Sequence, residues 1–198
     1  TSAGLASRND DQKILVLNHP SKSVLNISRQ FSHEWQILRE DSLVGPQHAR
    51  NVGASVARHP YLVFIDDDIR LSRSWIELML DQFTDPSIAV AQGHIRFEKK
   101  KKFFWNYLRY RNLGYFQKMK AMVPIRMCDT AAIVVKKRWF EAVQGFSKEL
   151  RIGEDSFFAI KMTTYGGVIK FNSSQSVDQI YDEEAVLLYS GSYIDMER

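Results

Sequence analysis

Cysteine is nearly absent from this sequence: Cys128 is the single one in 198 residues. No internal disulfide can form, which points to a reducing compartment rather than a disulfide-braced fold. Nothing beside Cys128 in the chain would depress its pKa, so it reads as a small packing residue rather than a nucleophile. Long apolar runs are missing too. The longest are strand-sized pieces, Tyr61–Ile65 and Ala131–Val135, far short of a membrane span. No stretch near the start has the form of a signal peptide, and the chain opens on Thr1. The pattern G-x-x-x-x-G-K-[ST] occurs nowhere, which removes P-loop nucleotide hydrolysis. The histidines are His19, His33, His48, His59 and His94, so the second half of the chain offers no imidazole to a metal. There is no internal repeat, and no low-complexity stretch beyond Lys99–Lys102.

What remains suits a single α/β domain over residues 1–198. The length and a hydrophobic content of 44% allow a sizeable core. The net charge of +4 is unevenly placed: nine Lys or Arg and one acid, Glu98, lie between Arg96 and Lys120, and the rest of the chain is slightly acidic. A basic patch of this kind attracts phosphate groups of nucleotides, lipids or nucleic acid.

The first half alternates strand and helix. Lys13–Leu17 reads as a strand ended by Asn18-His19-Pro20, and Val24–Ile27 is ambiguous. Pro46 opens a helix whose apolar stripe is Ala49, Val52, Gly53 and Val56, stopped at His59-Pro60. Tyr61–Ile65 is apolar throughout, as expected of a strand covered on both faces. Ser74 and Glu77 have the spacing of a capping box before an amphipathic helix on Ile76, Met79, Leu80 and Phe83. Ile88–Gln92 is a further strand. The second half is less regular. Phe104, Tyr107, Leu108, Arg111 and Tyr115 share a helical face. Ala131–Val135 is a strand with a helix near Arg138–Val143. Asp155–Tyr165 is helical and ends at Gly166-Gly167, and Val168–Phe171 is a strand. Such alternation implies a sheet with helical crossovers, whose ligands bind beyond the carboxyl ends of the strands.

At one such end stand Asp66, Asp67 and Asp68. Three adjacent carboxylates repel one another unless a cation lies among them, and hard divalent ions both take oxygen ligands and bridge phosphates. A solvated acidic turn is the bland alternative, and a nucleophilic aspartate of a phosphotransferase is another. Glu154-Asp155 is by itself only an acidic helix start.

Four segments, in order, resemble family 2 glycosyltransferases. Ala49-Arg50-Asn51-Val52-Gly53 is similar to the family's ARN-x-G segment. Tyr61 to Asp68 (YLVFIDDD) resembles its strand and D-x-D motif. Trp139 to Phe146 resembles its segment ending in G-G-F, with Gln144 in place of the first glycine. Ile152-Gly153-Glu154-Asp155 is similar to its G-E-D motif. The resemblance covers about residues 13 to 175. It implies the GT-A fold, a Rossmann-like, mixed and mainly parallel sheet flanked by helices. It also implies an inverting, metal-assisted transfer of sugar from a nucleotide-sugar, a UDP-sugar foremost, to an acceptor hydroxyl in surface-glycan synthesis. Asp66 and Asp67 would face the nucleotide, with Arg50 near it. Asp68, with Asp66 beside it, would bind Mn²⁺ or Mg²⁺. Asp155 would be the general base, Glu154 its support, and Asp129 a donor or acceptor contact.

Two departures accompany this. Ile14–Leu17 resembles the family's second strand, so its first strand is expected to be missing from this chain, and Asn18-His19-Pro20-Ser21 replaces an acidic turn. The late histidine that many relatives use as a further metal ligand is absent, and Asp178 or Gln179 falls near its place. These departures leave open a binding module of this type with impaired catalysis. Finally, Phe97–Tyr115 mixes lysines with Phe103, Phe104 and Trp105. That suits peripheral contact with an anionic membrane, for instance around a lipid-linked acceptor at the cytoplasmic face, and equally suits a core helix with a soluble face. A basic membrane-surface protein without catalysis is a third reading. Nucleic-acid binding is not expected, because it leaves the aspartates unexplained.

Overall fold

The computed structural model describes residues 7–8, 10–41, 45–97, 123–125, 127–150 and 153–180. Strand β1 (Ile14–Asn18) is followed by helix α1 (Lys22–Ser28), which settles the ambiguous stretch at Val24. Ser21 caps it through its hydroxyl, which accepts from the Val24 N–H at 3.3 Å. Next come β2 (Gln36–Glu40), α2 (Pro46–Val56), β3 (Tyr61–Ile65), the two-residue β4 (Ile69–Arg70) and α3 (Trp75–Leu80). The second half holds β5 (Ile88–Phe97), β6 (Val123–Ile125), β7 (Ala132–Lys136), α4 (Lys137–Ala142), α5 (Glu154–Thr164) and β8 (Val168–Gln179). The capping box before α3 does not form: the Ser74 side chain makes no cap hydrogen bond, and its carbonyl accepts from Leu78 instead.

The sheet is mixed and flanked by helices, as the sequence pattern implies. β1 and β2 pair in parallel as a separate two-stranded sheet. β2 has only Ile37 and Leu38 as apolar residues, so its alternation does not announce a strand. The larger sheet runs β3-β7-β5-β8-β4, with β6 also on β8. Within it β5 and β8 are parallel, while β3–β7, β7–β5, β8–β4 and β6–β8 are antiparallel. Antiparallel ladders thus outnumber parallel ones among the described residues, because β7 runs against both neighbours.

Strand alternation explains the core. Leu62 and Phe64 of β3, with Ile133 and Val135 of β7, enter one buried cluster with Ala54 of α2, Phe140 of α4 and Phe158, Ala159 and Met162 of α5. Ala132 and Val134 face the other side, where they meet Trp75, Ile76 and Met79 of α3. Even β3, at the edge of the larger sheet, is covered on both faces, with Leu62 and Phe64 in one cluster and Tyr61, Val63 and Ile65 against the other, which is why Tyr61–Ile65 is apolar throughout. α2 bridges the two sheets. A Cβ placed on Gly53 would lie 3.3 Å from Val16 of β1, while the neighbouring Ala54 packs with β3. No described helix is long and apolar enough to cross a membrane. The basic segment read as a membrane contact lies, beyond Phe97, outside the described residues.

Candidate active site

Topology sets the site. β3 delivers Asp66 at its carboxyl end, and β7 begins there because it runs antiparallel. The Asp66 N–H accordingly donates to the Ala131 carbonyl at 2.8 Å, which places Asp129 and Thr130 beside the aspartate turn. On the neighbouring strand, Gln92 is 2% exposed, and its Oε1 accepts the Asp129 N–H at 2.9 Å. The Ala131 N–H donates to Asp129 Oδ1 at 3.2 Å. The Glu154-Asp155 pair arrives on the first turn of α5, after Gly153 at φ 78°. The Thr130 hydroxyl donates to Asp155 Oδ1, and Cys128 Sγ lies 3.5 Å from the Asp155 carbonyl.

Arg50, on α2, joins the two halves. Its Nη2 donates to Asp66 Oδ1 at 2.7 Å, and its Nη1 lies 4.0 Å from Glu154 Oε1. The guanidinium is 11% exposed and sits 5.7 Å from the centroid of the Phe146 ring. Phe146 is fixed in turn by Asn51, which accepts the Phe146 N–H and donates to its carbonyl, both at 2.9 Å. This joins all four of the resembling segments at once. Arg50 and Asn51 are the polar residues of the first, and each reaches into another segment. The turn they hold has Gln144 at φ 58° and Gly145 at φ 63°. Gln144 thus keeps the left-handed backbone that glycine would supply there freely.

The third aspartate has a different neighbourhood. Asp68 Oδ2 accepts from Gln179 Nε2 at 2.7 Å, because β4 pairs Ile69 with Gln179 on β8. Asp178 turns away into an exposed pair with Arg96 at 2.8 Å. Of the two residues near the place of the missing histidine, Gln179 is therefore the one that faces the aspartates. Asp67 is exposed.

The electrostatics are those of an acidic site short of positive charge. Burial pushes Asp66 above the usual carboxylate range, opposed by Arg50. Burial also raises Asp68, against the hydrogen bond from Gln179, and raises Glu154. Asp129 is pushed up to about 6, first by burial and then by the charge of Asp155. Burial and the same two acids, Asp155 and Asp129, push the Cys128 thiol well up, which leaves it an inert packing group.

Among the described residues no group of three His, Cys, Asp or Glu side chains is arranged to hold a metal. Asp68 Oδ1 is nevertheless buried without a hydrogen bond, and a cation near these carboxylates would offset the burial that raises them. Small hard ions are commonly held by one or two carboxylates plus substrate phosphates, and Asp68 with Asp66 fits that mode. Sequence reasoning passed over Thr130 and Gln92. A buried threonine and a buried glutamine carry no pattern of their own in a sequence.

Comparison with known proteins bears on the family and the fold. The profile of the family described as "Glycosyl transferase family 2" matches residues 4–143. Among curated relatives, a pre-mycofactocin glycosyltransferase of Mycobacterium tuberculosis is 24% identical over 141 residues, covering 69% of this chain and 30% of that protein. Polypeptide N-acetylgalactosaminyltransferase 8 of Drosophila melanogaster is 26% identical over 161 residues, covering 72% of this chain and 27% of its own length. The match thus spans under a third of either relative. Among solved structures, GalNAc-T7 with UDP, GalNAc and Mn²⁺ superposes with a TM-score of 0.64 at 16% identity, over 91% of this chain and 39% of that one. That likeness is one of fold.

Proposed function

Because the chain belongs to glycosyl transferase family 2, we propose that it forms the catalytic site of an inverting transferase that moves a sugar from a UDP-sugar to an acceptor hydroxyl. The observation that carries this reading is the meeting of Asp66 and Glu154 on Arg50, which sets the aspartate turn beside the acidic start of α5. One half offers carboxylates to the diphosphate end of a donor. The other offers a carboxylate, Asp155, held on one oxygen by Thr130.

In this reading Asp66 and Arg50 orient the nucleotide, with Asp67 at the exposed rim. Asp68, with Asp66 beside it, would hold Mn²⁺ or Mg²⁺, which when bound neutralises charge developing on the departing diphosphate. Asp155 accepts the proton of the acceptor hydroxyl as that oxygen attacks the anomeric carbon and the sugar–diphosphate bond breaks, which inverts the configuration. Asp129, near enough to Asp155 and Asp66 to feel their charge, contacts the donor or the acceptor. In this reading the acceptor is a glycan or a lipid-linked carrier of surface-polysaccharide synthesis. The basic aromatic segment 97–115 would then serve as a peripheral contact at the cytoplasmic face of a membrane.

Calorimetric titration of the protein with UDP, with and without Mn²⁺, tests the reading. UDP binding that strengthens with Mn²⁺ is expected; binding indifferent to metal would remove the metal-assisted donor site.

A further inference from the structure

We propose that Thr130 is a positioning residue for Asp155, holding one carboxylate oxygen so that the other stays directed at the acceptor hydroxyl. The inference rests on the reading of Asp155 as the base.

Three observations support it. Thr130 is 1% exposed, so its hydroxyl cannot turn to solvent for a partner, and it donates to Asp155 Oδ1. Buried hydroxyls most often bond a nearby backbone carbonyl; this one is spent on a carboxylate 25 residues away. Second, the flanking residues grip the same point from other directions. Cys128 Sγ reaches the Asp155 carbonyl, while Asp129 between them is held away by Gln92 and by the Ala131 N–H. The segment 128–130 thus fixes both the backbone and the side chain of Asp155. Third, Thr130 lies two residues before β7, and the carbonyl of Ala131 between them accepts from the Asp66 N–H, so the anchor is tied to the aspartate turn.

Chemistry gives the anchor a purpose. An aspartate on the first turn of a helix can fold back to accept the helix's own unpaired N–H groups. An oxygen engaged there is lost to catalysis. Occupying Oδ1 from the side leaves Oδ2 for the acceptor. The β-branched threonine supplies this hydroxyl with little rotameric freedom. Misplacement of a reacting group by about 1 Å can cost on the order of 100-fold in rate.

The test compares wild-type protein with Thr130→Val, Thr130→Ser and Asp155→Asn. It measures hydrolysis of UDP-glucose and of UDP-N-acetylgalactosamine with Mn²⁺, water standing as the attacking hydroxyl that takes the sugar and loses its proton to Asp155, and UDP affinity by calorimetry. Thr130→Val is expected to lower kcat by about 10- to 100-fold while the donor KM and the UDP affinity stay within about twofold. Thr130→Ser, which keeps the hydroxyl, is expected to recover most of the rate. A Thr130→Val kcat within about twofold of wild type overturns the proposal, as does equal impairment of the Ser and Val variants, which would indicate packing alone. If Thr130→Val does not fold, Thr130→Ala against Thr130→Ser carries the same comparison. An active Asp155→Asn, or a wild type that releases no UDP from either donor, overturns the functional reading and this proposal with it. An inactive Asp155→Asn beside a fully active Thr130→Val overturns this proposal alone.

Discussion

The two halves of the proposed site are built in opposite ways. The proposed donor half, Asp66 to Asp68, is contiguous and needs little more than a buried strand to end in the right place. The acceptor half is assembled from separate stretches: Asp129 and Thr130 before β7, and Glu154 and Asp155 on α5. Charge is handled differently as well. The donor half has specific partners, with Arg50 on Asp66 and Gln179 on Asp68. The acceptor half puts Asp129 near Asp155, with a hydroxyl rather than a cation on the latter. A strand-end site tolerates change in its surroundings; an assembled site depends on every segment that holds it.

The largest expected effect separates the halves functionally. Asp155→Asn should lower turnover by roughly 10²- to 10⁴-fold, the range of a lost general base, and leave UDP affinity unchanged. Asp68→Asn should do the reverse. It should weaken UDP binding in the presence of Mn²⁺ by at least about tenfold and leave metal-free UDP binding as it was. Equal loss of UDP affinity in both variants would erase the distinction.

Gly145→Ala probes how far the acceptor side depends on its supports. The backbone there is left-handed at φ 63°, and an added Cβ would fall 2.5 Å from Asn51 Oδ1. A loss of about 2–3 kcal/mol in urea unfolding is expected. An unchanged midpoint would show that the Asn51 clamp can shift without cost.

The acceptor half also predicts a pH dependence. Burial, then the charge of Asp155, pushes the Asp129 carboxyl up to about 6 in the folded protein from its ordinary value of 3.8, so the folded state binds its proton more tightly. Between those values the folded state carries more protons than the unfolded, and stability falls as pH rises. The contribution is present in full below about 4 and is lost by just above 6. Urea midpoints from pH 4 to 7 should show this decline, and Asp129→Asn should flatten it; an identical slope would clear Asp129 of the effect. The smallest expected change is a gain. Gln144→Gly should stabilise by about 1 kcal/mol, since Gln144 holds φ 58° that glycine adopts freely. A destabilised Gln144→Gly would mean that the side chain makes contacts worth more than the backbone strain.

Much of this was legible beforehand, for identifiable reasons. Tyr61–Ile65 announced itself as a doubly covered strand because five consecutive apolar residues have no other economical use in a chain of this size, and the acids after it had to lie at a strand end. The start of α5 was legible from its acids, and its end from Gly166-Gly167. β2 was not, since an edge strand with two apolar residues lacks alternation. The capping box at Ser74 has the right spacing but does not form, because the Ser74 backbone, at φ −93° and ψ 1°, lacks the extended conformation of a capping residue.

Sequence alone named candidates for the site, from Arg50 through the three aspartates to the Glu154-Asp155 pair, because the segments that resemble the family are each short and contiguous. Tertiary structure decided who meets whom. That Gln179 rather than Asp178 faces Asp68, that Arg50 spans Asp66 and Glu154, and that Thr130 holds Asp155 all follow from the antiparallel entry of β7 and the register of β4 on β8. Strand order and direction depend on how the whole core packs, and no short stretch of residues carries that information.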